Sequence, residues 1–260
     1  MLKLKNSVKG DTEITFEASA HKYTVFGKQV RISVTKLADR AIPEEHRFDG
    51  AEIIKKNLRG WRSNASSKYN SLVSGVTDAQ ARKNIFAEWS KAREAGTSMH
   101  LLFEHTLNGL EPSEAGHEAE MAQFRAAMSE MDDVPFRTEL SIFGVNADGD
   151  AAVAGQIDLL TKDREGRYHI VDFKRTTNDL GPNAACFGKR FLKDCALNEH
   201  YKYSLQLALY REIFLLQTGL PIATCRLLQI HPDLDAHKFI ETTDLAEEAR
   251  ELLRGAGVVV

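Results

Sequence analysis

The chain has 260 residues, 43% of them hydrophobic and 27% charged, with a formal charge of −3 at pH 7. Such a composition fits a soluble globular protein of one α/β domain, or a domain with an appendage, and excludes a uniformly basic nucleic-acid binder; any cationic surface has to be local. No apolar run is long enough to span a membrane, and the first residues have neither a secretory apolar core nor a transit-peptide composition, so a cytoplasmic, nuclear or viral setting is expected. Cys186, Cys195 and Cys225 are too few and too scattered for an all-cysteine zinc site or an iron–sulfur cluster, and read as reduced thiols.

In chain order, Glu13 to Ala18, His21 to Phe26 and Val30 to Val34 predict a small β-meander, followed by a helix through Lys36 to Arg40 for which Ser33-Val34-Thr35 offers a capping hydroxyl. A helix is expected from Asp49 to Leu58. The stretch from Gly60 to Gly75, rich in Ser, Asn and Gly, predicts a loop. Its Trp61, Arg62, Lys68 and Tyr69 suit either stacking on single-stranded bases or anchoring of the loop to a core. Thr77 to Gln80 has capping-box spacing and opens a helix to Glu94, with a break and restart at Gly96 and Thr97. The restarted helix carries His100 and Glu104 four residues apart on one side, among apolar neighbours. Another helix, Glu114 to Met131, precedes a strand from Phe136 to Phe143 that holds Glu139.

The densest chemistry lies between Ala152 and Thr177, where two strands flank the turn Asp163 to Gly166. The first strand contains Gly155-Gln156-Ile157-Asp158 and the second Asp172-Phe173-Lys174. Alternation puts Asp172 and Lys174 on one face and Phe173 on the other. Charges set in apolar β-forming runs cost desolvation energy unless they are paired or bind a cation, so a metal-and-water site is a better reading than a solvated strand end. With the Glu139 strand, the sheet core reads as an antiparallel meander of three sequential strands.

Downstream, Arg175, Lys189, Arg190, Lys193 and Lys202 could line a phosphate track, although a solvated loop face fits them equally well. A strongly apolar helix, Tyr203 to Thr218, carries Gln206 and Tyr210 four apart. A buried strand (Ile222 to Ile230), a short edge strand (Lys238 to Glu241) and a helix (Asp244 to Arg254) complete the chain.

Taken in order, His100, Glu139, G-x-x-D ending at Asp158, D-x-K as Asp172 and Lys174, and Q-x-x-x-Y as Gln206 and Tyr210 resemble the RecB-like branch of the PD-(D/E)XK nuclease superfamily, which includes mitochondrial genome maintenance exonucleases. The resemblance covers roughly Gly96 to Pro232. It implies an α/β fold with a mixed central sheet flanked by helices as the nuclease core (residues 96–260); residues 1–95, read from their own pattern as an N-terminal β-meander and helical extension packed on that core, are not explained by the motif set. It also implies a metal-dependent exonuclease acting on single-stranded or end-exposed DNA, and leaves open an endonuclease, a silent binding subunit, and a helicase or recombination partner.

By the resemblance, His100, Asp158, Asp172 and the Phe173 carbonyl would hold Mg2+ or Mn2+, and Lys174 would act on the attacking water. Glu139, Glu104, Gln206 and Tyr210 would support the site. Oxygen ligands favour these hard ions, one imidazole tilts the set toward Mn2+, and a lysine beside a metal is expected to have a lowered pKa. The cysteines that some branch members use for an iron–sulfur cluster are lacking, so that cofactor is not expected.

Overall fold

The computed structural model describes residues 1–44, 47–182 and 199–260. They divide into two units, one of residues Met1–Pro43 with His100–Val260, the other of Glu44–Met99.

The larger unit is built on a six-stranded mixed sheet. Its centre is the meander expected from the alternating sequence: β5 (Val134–Val145), β6 (Ala151–Lys162) and β7 (Tyr168–Arg175), each antiparallel to the next. Gly166 closes the β6–β7 turn at φ +85°, a conformation that costs glycine little. β8 (Ile222–Ile230) pairs parallel with β7, and β9 (Lys238–Glu241) pairs antiparallel with β8.

The β6–β7 ladder stops at the Leu159–Val171 pair. One step further in the same register, Asp158 would face Asp172. Like charges directly opposite disfavour pairing, and the strands part there. β4 (Ile32–Ser33) takes the edge of β6 thus released, parallel at Val153 and Ala154. The N-terminal meander differs accordingly from expectation. Its strands are β1 (Ile14–Glu17), β2 (Lys22–Val25) and β3 (Lys28–Gln29), while the stretch expected as its third strand supplies β4 to the large sheet. Residues 1–43, which open with the short helix α1 (Leu2–Lys5), therefore lie with the sheet that carries the acidic motifs.

Helices cover both faces. On one lie α2 (Val34–Ala41), whose first turn is capped by the Ser33 hydroxyl, α7 (Glu199–Thr218) and α8 (Ala246–Gly255). They pack Leu37, Leu205, Leu209, Ile213 and Leu253 onto Leu140, Ile157 and Ile170. On the other face, Phe103 from the end of α5 (Asp78–Leu107) stacks on Phe124 of α6 (Glu118–Glu130) at 4.0 Å between ring centroids, and both meet Phe173 edge-on. The outer edge of β5 is closed by side chains and tail rather than by a strand: Asn6 donates to the Phe136 carbonyl, Gln217 accepts from the Phe143 N–H, and the Val259 N–H donates to the Val145 carbonyl.

In the smaller unit, α3 (Gly50–Ser63) is capped by Asp49 and runs past the expected end at Leu58. The stretch expected as a loop is tied down. It contains α4 (Asn70–Val73), and Arg62 donates to the Val73 and Val76 carbonyls and to Asp78. Tyr69 accepts from the Trp89 indole at 2.9 Å, so Trp61 and Tyr69 anchor a core with Ile54, Leu58, Val73 and Ile85. α5 runs 30 residues without the break expected at Gly96 and Thr97. The Thr97 hydroxyl donates to the Arg93 carbonyl one turn back, so its polar group is satisfied inside the helix.

Candidate active site

Three carboxylates share one row across the sheet. Extending the strand registers on either side puts Glu139 of β5, Asp158 of β6 and Asp172 of β7 level with one another. Glu139 sits at φ +46°, in the left-handed region that a side chain of its size rarely adopts, and such outliers concentrate at functional sites. Where the β6–β7 ladder ends, Asp158 replaces it: its Oδ2 accepts the Phe173 N–H at 2.8 Å.

His100 comes to the same point from α5. Its Nε2 lies 3.1 Å from the Phe173 carbonyl oxygen and its Nδ1 3.6 Å from Asp158 Oδ2. Ligand atoms of His100, Glu139 and Asp158 all fall within 4.8 Å of one another. Neighbouring ligands of an octahedral ion with bonds of about 2.1 Å are about 3.0 Å apart, close to the His100–Phe173 spacing. This donor set of imidazole, carboxylates and a backbone carbonyl fits a divalent cation.

The cluster differs from the expected metal set in one respect. Glu139, expected only in support, stands in it, whereas Asp172 is turned to Lys174. Asp172 is 2% exposed and forms an ion pair with the Lys174 ammonium through its Oδ2. Without metal, burial by itself would lower the Lys174 amine, but the Asp172 and Asp158 carboxylates outweigh it and hold the amine above its ordinary value; the lowering expected of a lysine beside a metal concerns the loaded site.

Two of the carboxyls are pushed the other way. Burial, then Asp158, Glu104 and Asp172, push Glu139 up to about 9. Burial raises Asp172, Lys174 lowers it and Asp158 raises it again, leaving it at about 6. A carboxyl whose folded pKa exceeds its unfolded value binds more protons when folded, so its stability contribution is present at low pH and is lost as pH rises through the folded value. Without metal, the melting temperature should therefore fall as pH climbs from about 5 to about 9, and divalent ions should reduce that slope. Thermal melts across this range in EDTA and in Mn2+ check it; a flat or rising profile in EDTA would contradict the acidic cluster.

The remaining expected residues separate into two groups. Gln206 and Tyr210 are buried on α7 and joined by a 3.0 Å bond from the Gln206 amide to the Tyr210 hydroxyl. The Tyr210 phenol is raised by burial and by Asp172 and Asp158. A Cβ on Gly155 would come within 2.6 Å of the Tyr210 ring and 2.7 Å of Val34, which explains the glycine of G-x-x-D. Glu104 and Glu139 line a cavity of about 410 Å³ together with Phe16, Thr138 and Gln156.

The proposed phosphate track is not assembled in the same way. Arg175 pairs with buried Glu120 at 2.9 Å and Lys202 with Asp39 at 2.7 Å. Lys189, Arg190 and Lys193, together with Cys186 and Cys195, lie outside the described residues. Sequence reading missed Tyr203, whose ring lies 4.4 Å from Lys174 Nζ. Its spacing to Gln206 and Tyr210, three and seven residues, puts all three on one helix face and would have identified it.

Among the described residues no helix is long and apolar enough to cross a membrane. No curated protein matches the chain. Solved structures similar to it include a protein named SSO0001 (16% identity over 86% of this chain and 74% of that one, TM-score 0.37). Another is a candidate exonuclease from Eubacterium rectale (15% identity, 83% and 82%, TM-score 0.40). Likeness at this level carries no functional argument. The family comparison does: the model describing the PD-(D/E)XK nuclease superfamily matches residues 78–256, which include every acidic and basic group of the site. The chain belongs to the PD-(D/E)XK nuclease superfamily, whose members are metal-dependent nucleases.

Proposed function

We propose that the chain is a metal-dependent deoxyribonuclease of the RecB-like branch, working as an exonuclease on single-stranded or end-exposed DNA during repair, recombination or replication processing. The observation that carries the chemistry is the row Glu139, Asp158 and Asp172 at the point where β6 and β7 part, with Lys174 and His100 beside it. The branch and the exonuclease mode draw their support from the ordered motif set ending in Gln206 and Tyr210.

In this reading His100, Glu139, Asp158 and the Phe173 carbonyl hold Mg2+ or Mn2+. A divalent ion there supplies a Lewis acid for the phosphate and a bound water of lowered pKa. Asp172 keeps the Lys174 ammonium in place, and the Tyr203 ring lies 4.4 Å from its Nζ. Held charged, Lys174 donates to the attacking water or a phosphate oxygen and orients it, rather than starting as a free base. Gln206 and Tyr210 brace β6 against α7 through the close approach at Gly155.

The mode is tested with single-stranded DNA as a linear strand and as a covalently closed circle, each with Mn2+. Degradation of the linear strand with the circle left intact is expected. Nicking of the circle at a comparable rate would make the protein an endonuclease.

A further inference from the structure

The smaller unit carries charge of the opposite sign to the rest of the chain. Residues 44–99 contain ten Lys and Arg against seven Asp and Glu, whereas the remainder has 24 against 30. A local basic surface on an overall acidic protein is the condition that composition set for nucleic-acid binding.

Within this unit the cations are interleaved with aromatic rings. Arg82, Phe86, Trp89 and Arg93 of α5 recur at i, i+4, i+7 and i+11, which places them on one helix face, and no carboxylate interrupts the series. Arg82 and Arg93 are exposed, and neither guanidinium has an ion-pair partner among the described residues. Phe86 and Phe48 both meet Trp89 edge-on, at 5.6 and 5.5 Å between ring centroids. Trp89 is fixed in turn by its bond to Tyr69. Gly50 at the start of α3 lets these rings lie against the backbone, since a Cβ there would come within 2.9 Å of both Phe86 and Trp89.

The outcome is a pair of phenylalanines pre-ordered from beneath yet left open above. Phe48 is 75% exposed and Phe86 42% exposed. Apolar rings in water cost hydration free energy, and the flanking arginines give the patch a cationic border that suits an anionic partner. Unpaired bases have π-faces for the rings and phosphates for the guanidiniums, whereas duplex bases are already stacked.

We propose that Phe48, Phe86, Arg82 and Arg93 form a binding surface for single-stranded nucleic acid, on which bases stack on the two phenylalanines and phosphates engage the two arginines. The surface is distinct from Trp61 and Tyr69, which are partly buried and pack against the core of the unit. The inference rests on the nuclease reading only for the identity of the strand as DNA.

The test measures binding of a fluorescent oligothymidylate to the full chain in EDTA by anisotropy. Phe48→Ala/Phe86→Ala should weaken binding by about tenfold or more, because each base–aromatic stack contributes substantially to single-strand affinity. Arg82→Gln/Arg93→Gln, which touches only exposed groups and so should fold normally, should flatten the dependence of log affinity on log salt by about 0.7 per cation removed. Affinity for blunt duplex should change little in the phenylalanine variant. Wild-type affinity and salt slope in both variants would overturn the proposal and would point to a protein as the occupant of the surface. Failure of the nuclease reading would appear differently, as absence of cleavage in Mg2+ and Mn2+ with oligothymidylate binding retained.

Discussion

Asp158→Asn is expected to lower phosphodiester cleavage at least about a thousandfold, equivalent to about 4 kcal/mol of activation free energy, while leaving the protein folded. Asp158 is the middle member of the carboxylate row and faces both His100 and the Phe173 N–H. An asparagine oxygen can still accept that N–H, so the splayed junction of β6 and β7 survives. What disappears is the charge at the centre of the row, and with it most of the attraction for a divalent ion. The same change removes a repulsion from Glu139 and Asp172, both raised in part by Asp158. The melting temperature in EDTA should therefore be unchanged or higher, while the stabilisation gained on adding Mn2+ should largely vanish. A variant that melts normally in EDTA, still gains stability with Mn2+ and cleaves at the wild-type rate would remove Asp158 from the site.

A second large effect is expected far from the chemistry. Asp11→Ala should destabilise the protein by about 3–5 kcal/mol, the usual cost of leaving a buried charge without its partner. Arg137 of β5 is 2% exposed, and its guanidinium donates twice to Asp11, at 2.7 and 3.0 Å, and once to the Asn6 carbonyl. Burial raises the Asp11 carboxyl, but Arg137 and the Val8 N–H outweigh it and leave the group below its ordinary range. Its contribution is accordingly present above the unfolded value and is lost as pH falls through the folded one. Urea unfolding measures the loss, and Asp11→Ala/Arg137→Met should recover much of it, since exchanging both partners for apolar groups avoids the orphaned charge. Because Glu139 lies two residues beyond Arg137 in the same strand, the single variant should also lose activity. A loss below about 1 kcal/mol would show that water reaches Arg137 and replaces its partner.

The central hairpin and its motifs were legible because period-2 alternation, a glycine turn and charges among apolar residues all point the same way. His100 was legible as part of an i, i+4 pair on an apolar helix. Other features depend on contacts distant in sequence. The split between β6 and β7 reassigns Ile32 and Ser33 from the meander to the main sheet, and only the register of two opposed aspartates accounts for it. The pairing of Arg175 with Glu120 spans 55 positions, which no local pattern encodes. The segment around Trp61 and Tyr69 has loop composition, yet Arg62 ties its two ends together through the Val73 carbonyl and Trp89, from outside the segment, binds it into a core.

The measurement that bears most directly on a metal-dependent nuclease at this site is digestion of end-labelled single-stranded DNA in Mn2+, in Mg2+ and in EDTA, with Lys174→Ala run alongside. Cleavage with metal, none in EDTA, and loss in the folded variant is the expected result. Cleavage by Lys174→Ala at the wild-type rate, or no cleavage by the folded wild-type chain with either metal, would contradict it.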